Sequence, residues 1–209
     1  MADEAGAVGG VYEDAPVLGA PGGVVGDADT AVVLDGVDDG VVFGDAHDLL
    51  GAVSFTVEVW VKPSMYGTEF PRVLDKEVFL PLRNGYTMFL REPEATDPNQ
   101  SRHGFECWLE GEITIRVLPD VAPALDVWTH VVARMDGAAQ QMRVFHDGVL
   151  IGAQDGSDCA MIDNAGVLRL GGNSGGGSRY AGGVDEVAIY DHALSDARIL
   201  AHWQVGSGN

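Results

Sequence analysis

Lysine is nearly missing from this chain: of 209 residues only Lys62 and Lys76 are lysines, and the other ten of its 12 basic residues are arginines. Against them stand 32 aspartates and glutamates, giving a formal net charge of −20. A field of that sign repels phosphate backbones and anionic lipid, so nucleic acid and membrane surfaces make poor partners. Salt adaptation or compositional bias accounts for the acidity as well as any function does. Long apolar runs are also missing, since none approaches the ~18–20 residues that a bilayer-spanning helix needs. The opening MADEAGAVGG has neither the positive start nor the apolar stretch of a signal peptide. The chain is therefore expected to be cytoplasmic or, the preferred reading, a domain cut from a longer polypeptide. Cysteine is scarce. Cys107 and Cys159 permit one disulfide, and a bridge and two reduced thiols stand equally open. By alternation Cys107 shares an inward face with Phe105 and Leu109, whereas Cys159 lies in a Gly/Asp-rich loop.

Glycine is what the chain has in quantity, at 29 residues set between apolar runs without a fixed period, which reads as many turns. Hydrophobic residues at 46% and charged residues at 21% supply a core and predict a globular chain. The apolar runs have strand character. AVVL (31–34) and GVVF (40–43) flank the stretch VLDGVDDGVVF, which reads as a hairpin. SFTVEVWVKP (54–63) alternates, with Phe55, Val57, Val59 and Val61 on one face and Thr56, Glu58 and Trp60 on the other, until Pro63 ends it. YTMFLR (86–91), GFECWLE (104–110) and EITIRVL (112–118) read as further strands, with a polar connection over 92–103. WTHVVARM, QMRVFH and VLIGAQ are joined by Asp136-Gly137 and Asp147-Gly148, dipeptides that supply the positive φ of tight hairpins. VLRLGG (167–172) and GGVDEVAIY (182–190) close the series, and 194–203 reads as the one helix, capped by Ser195, with Leu194, Ile199, Leu200 and Trp203 as its apolar contacts. About ten short strands with turn-bounded spacing predict an all-β fold of two packed antiparallel sheets in a single domain.

The order of FTVEVWVKP, Trp128-Thr129-His130-Val131 and VDEVAIYDHALS, spread between about Gly10 and Trp203, resembles the laminin G-like domains of the concanavalin A-like lectin/glucanase superfamily. That resemblance implies a jelly-roll β-sandwich with a convex and a concave sheet. It also implies a carbohydrate-binding or adhesive module of a secreted or cell-surface protein, with a glycan or an extracellular protein as ligand; the sequence leaves the oligomeric state open, with a monomer the favoured expectation. Fold alone does not name the ligand.

Two sites can be nominated. In VLDGVDDGVVF, Asp35-Gly36 and Asp39-Gly40 are good turn formers, and turn chemistry alone is one reading. The other is a calcium ion, which takes carboxylate and carbonyl oxygens. The resemblance places such an ion where an early turn meets the last strand, with Asp185, Asp38 and the Gly36 carbonyl as ligands. Alternation puts Asp185 on the face opposite Val184 and Glu186. In FECWLEGE, Glu106, Trp108 and Glu110 share a face, and the expectation is an exposed indole between solvated acids, on which a sugar could stack. As a catalytic pair, Glu106 and Glu110 fit poorly. Their Cα atoms lie ~13 Å apart on a flat strand, whereas a retaining glycosidase needs carboxyls about 5–5.5 Å apart. The superfamily glucanases also carry a central Asp where this chain has Trp108. The six histidines show no metal-ligand spacing, and His130 reads as structural. The glycine tip over 171–179 lacks the Gly-Lys-Ser/Thr of a phosphate loop and reads as a turn.

Overall fold

The computed structural model describes residues 8–66, 70–79, 83–90 and 103–209. Arg91 and the polar connection expected over 92–103, except His103, which begins a strand, lie outside the described residues, as does the stretch Met1–Ala7.

Among the described residues fourteen strands form two antiparallel seven-stranded sheets. In chain order they are β1 (Val11–Glu13), β2 (Val17–Pro21), β3 (Thr30–Asp35), β4 (Gly40–Val42), β5 (Phe55–Pro63), β6 (Arg72–Val78) and β7 (Asn84–Leu90). There follow β8 (His103–Leu109), β9 (Ile113–Val117), β10 (Thr129–Asp136), β11 (Gln141–His146), β12 (Val149–Asp155), β13 (Arg169–Leu170) and β14 (Ala181–Tyr190). The first sheet runs β1-β4-β13-β6-β7-β8-β9 and the second β12-β11-β10-β5-β14-β3-β2. The expected two-sheet sandwich is what forms.

Alternation explains the core. Val57, Val59 and Val61 of β5, Val131, Ala133 and Met135 of β10, and Tyr86, Met88, Phe105 and Cys107 of the first sheet meet between the sheets. Burying each large apolar side chain there contributes about 1.5–3 kcal/mol. The other face of β5 is buried as well, because helix α1 (Asp196–Ser207) covers it. Thr56 Oγ1 donates to the His192 carbonyl and accepts from Leu194 N–H, while Glu58 meets His202 of the helix. Ser195 caps α1, its Oγ accepting Arg198 N–H at 3.2 Å, and Leu194 and Ile199 pack on Val132 and Phe145.

Several local expectations change. The stretch VLDGVDDGVVF is an arch rather than a hairpin, because β3 belongs to the second sheet and β4 to the first. Asp147 and Gly148 form a two-residue turn with φ of 51° and 74°, as its geometry requires. The connection after Asp136 is longer, since β11 begins only at Gln141. Strand β6, RVLDKEV, shows no clean alternation and is not evident in the sequence. Its Lys76 is fully buried and holds Asp45 Oδ1 at 2.7 Å, Asp48 Oδ1 at 2.8 Å and the Gly166 carbonyl at 2.5 Å. Both cysteines are free thiols, and burial pushes the Cys107 thiol up to about 12.

Candidate functional site

The outer face of the first sheet, turned away from the core, carries charge where a β-sandwich surface would ordinarily be solvated. Two cross-strand rows define it. Asp75, Thr87, Glu106 and Arg116 stand side by side on β6, β7, β8 and β9, and Glu77, Gly85, Trp108 and Thr114 form the next row. A bulge at Val73 brings Arg72 onto the same face, opposite Phe89. Arg72 Nη1 donates to Thr87 Oγ1 at 3.1 Å and Nη2 to Glu77 Oε2 at 3.4 Å, with Nε 3.9 Å from Asp75. Arg83 Nε donates to Glu77, and Arg116 pairs with Glu106.

The patch is roofed from two sides. The Arg83 guanidinium lies over the Trp108 ring, 3.8 Å from its centroid. The glycine tip over 171–179 folds onto the other side, where Ser174 N–H donates to Asp75 Oδ2 at 3.0 Å and Ser174 Oγ to the Glu77 carbonyl at 2.8 Å. Burial pushes the Asp75 carboxyl up to about 6, although the neighbouring Arg72 charge pulls it back. Burial likewise lowers the Arg116 guanidinium, and the charges of Arg83 and Arg72 lower it further.

The structure brings Glu106 and Trp108 together on this face but corrects their exposure. Trp108 is 3% and Glu106 2% exposed, because Arg83 covers the indole and Arg116 pairs with the acid. Glu110 does not join them. The strand ends at Leu109, and Glu110 sits exposed in a 3-10 turn whose Gly111 has φ 77°. Sequence reading missed Arg72, Asp75, Glu77, Arg83 and Arg116. The available signal was Asp75 and Glu77 two apart, at strand spacing, between apolar neighbours.

The nominated metal ligands also separate. Asp38 groups with Asp35 and Asp39 in the arch, whereas Asp185 groups with Asp29 and Glu186. Asp35 pairs with Ala181, four residues along β14 from Asp185, which is ~13 Å at strand rise. In the arch Asp35 Oδ1 accepts the N–H groups of Val37, Asp38 and Asp39, which hold its carboxyl below the usual range, so turn chemistry accounts for Asp35. Gly36, at φ 78°, lies against Ala181, where a Cβ would come within 2.7 Å. At the other group, a bulge between Asp185 and Ala188 gives Glu186 a φ of 46° and turns its carboxylate toward Asp185, overriding simple alternation. Asp185 Oδ2 accepts Gly23 N–H at 2.8 Å. Burial, then the charges of Asp29 and Asp27, raise the Asp185 carboxyl, a repulsion that a bound cation relieves. Three hard oxygen donors within 4.8 Å of one another fit a hard divalent cation.

A family model described as the concanavalin A-like lectin/glucanases superfamily matches residues 35–200. The chain belongs to this superfamily. No curated protein matches it in sequence. Among solved structures, domain 4 of AbnA, an extracellular GH43 arabinanase of Geobacillus stearothermophilus in complex with arabinotriose, is similar with TM-score 0.70 and 19% identity, over 96% of this superfamily member and 91% of that domain. The binding domain of Paraclostridial Mosquitocidal Protein 1 is similar with TM-score 0.69 and 10% identity, over 95% of this chain and 47% of that one. The binding domain of botulinum neurotoxin DC in complex with SialylT gives TM-score 0.61 and 13% identity, over 95% and 46%. The chain thus spans about half the length of the toxin binding domains and nearly all of the arabinanase domain.

Proposed function

We propose that this chain is a non-catalytic carbohydrate-binding or adhesive module of a secreted or cell-surface protein, and that its contact surface is the outer face of the first sheet. The observation that carries this reading is the Arg72–Asp75–Glu77–Arg83–Glu106–Trp108–Arg116 cluster. Desolvating so many charges costs more than an apolar patch of the same volume would, and a costly buried network marks a functional-site candidate. The guanidinium groups of Arg83 and Arg116, exposed above buried carboxylates and a covered indole, suit the hydroxyl and anionic oxygens of a sugar. The arabinotriose and SialylT complexes of two similar domains support a glycan as ligand. Asp75, Glu77 and Glu106 are already paired and almost wholly buried, which speaks for binding rather than hydrolysis. The Asp29–Asp185–Glu186 group would hold a structural calcium ion. The second reading is a spacer domain without a ligand, favoured by the burial of Trp108.

Affinity electrophoresis of the chain through gels containing a panel of neutral and acidic polysaccharides tests the proposal. Retardation by at least one polysaccharide, weakened by Arg116→Ala, is the expected result. Unaltered mobility across the panel leaves the spacer reading, and release of reducing sugar from any of them refutes the non-catalytic one.

A further inference from the structure

The charge on this face is layered. The side chains of Asp75, Glu77 and Glu106 are 0%, 0% and 3% exposed, whereas those of Arg83 and Arg116 are 36% and 46% exposed. An approaching ligand therefore meets guanidinium groups, with the carboxylates sealed beneath them. This happens on a molecule of net charge −20 with only 12 basic residues, three of which (Arg72, Arg83 and Arg116) share the patch. Burial lowers the Arg116 guanidinium, and the charges of Arg83 and Arg72 lower it further. Among the described residues Glu77 takes only Nε of Arg83, and Glu106 takes Nη2 of Arg116. That leaves other N–H groups of these two part-exposed guanidiniums outside the glutamate pairs, and a planar fork matches a carboxylate bidentately. The Trp108 ring holds the Arg83 plane in place from below, which reduces the entropy lost when an anion binds.

We propose that the ligand is an acidic saccharide, whose carboxylate is received between Arg83 and Arg116. This inference rests on the glycan-binding reading above and narrows it to one chemical class. The buried glutamates serve as positioning residues. Glu77 orients the Arg83 fork and Glu106 the Arg116 fork, and neither touches the ligand. The field of the whole molecule disfavours any polyanion at a distance, so the contact is local, one saccharide carboxylate between the two forks, and is read at an ionic strength that screens the long-range repulsion.

The test uses the full chain in affinity gels containing polygalacturonate, alginate or polysialate, the methyl ester of each, arabinan, and polyglutamate as a sugar-free acid. Retardation by at least one acidic polysaccharide is expected, falling about tenfold or more on esterification as charge-assisted hydrogen bonds are lost. Polyglutamate should leave mobility unchanged. Arg83→Lys and Arg116→Lys keep a cation beside each buried glutamate, and so preserve the fold while removing the fork. Each should weaken retardation by the acidic polymer and leave the melting temperature close to that of the parent. Equal retardation by an ester or by arabinan overturns the acidic class and leaves glycan binding standing. Equal retardation by polyglutamate reduces the effect to charge alone and overturns the proposal. Mobility unchanged by every polysaccharide overturns this inference and the glycan reading together.

Discussion

Arg83 lies over Trp108, its guanidinium 3.8 Å from the ring centroid, while its Nε bonds the buried carboxylate of Glu77. One side chain thus shields an indole and neutralises an acid, and the two tasks can be separated by substitution. Arg83→Ala should expose Trp108 to acrylamide and raise its quenching. It should also cost about 1–3 kcal/mol, because among the described residues Glu77 then keeps Arg72 alone as a charged partner. Arg83→Met, which restores apolar cover without charge, should reverse the quenching but not the loss of stability. Equal quenching of the parent and Arg83→Ala would show that the stack does not shield the ring.

Acid stability should reflect two opposed groups. His103 and His146 sit stacked with ring centroids 4.5 Å apart and an Nε2–Nε2 contact of 2.8 Å. Burial lowers both, His146 to about 4; His146 lowers His103 further, and His130 lowers His146 further. Because the unfolded chain binds those protons first, stability from the histidines is full above about 6.5 and is lost as pH falls toward 4. Asp75, raised to about 6, acts in the opposite sense: its contribution is full below its unfolded value near 3.8 and is lost as pH rises through 6. Urea unfolding between pH 4 and 7 should therefore show Asp75→Asn gaining on the parent toward pH 7, with the gain gone by pH 4. His146→Gln should show a smaller loss on acidification than the parent. Parallel curves for the parent and both variants would refute the assignment.

A cation at Asp29, Asp185 and Glu186 would couple binding to folding, since only the native bulge in β14 assembles the three carboxylates. The ion would add ~2.7 kcal/mol at a hundredfold excess over its Kd. EDTA should lower the melting temperature, and calcium should restore it. Magnesium at equal ionic strength should do so much less, because it demands a smaller octahedral shell. Asp185→Ala should abolish the difference, whereas Asp38→Ala, in the separate arch, should retain it. Equal action of calcium and magnesium on the parent would reduce the effect to screening of the −20 charge.

The helix cap offers a plain test of how α1 is held. Ser195→Ala removes the acceptor of Arg198 N–H and should cost about 1 kcal/mol by urea unfolding. The covered face of β5 contributes far more to holding α1, so the helix should remain docked and far-UV circular dichroism unchanged.

Period-two alternation made most strands readable without coordinates. β5 shows Val57, Val59 and Val61 turned one way because one face of that strand must meet the core. Ser195 identified the helix start for a similarly local reason, as a side-chain oxygen three residues ahead of an N–H it can cap. Strand β6 escaped because buried charge replaces alternation there: Arg72, Asp75, Lys76 and Glu77 are each paired with residues distant in sequence or brought near by a bulge. The exposure of Trp108 was likewise undecidable from its own neighbours, since the covering group, Arg83, lies 25 positions earlier and reaches it only through the pairing of β7 with β8. The same holds for Asp185, whose partners were set by the β14 bulge and by the register with β3, not by spacing along the chain. The sequence by itself determined the fold class, the helix and the acidity, because each depends on local pattern or on composition. The tertiary structure alone decided which charges share a face, because that depends on strand order and register, and pairing between strands distant in the chain is fixed only when the two sheets close on their common core.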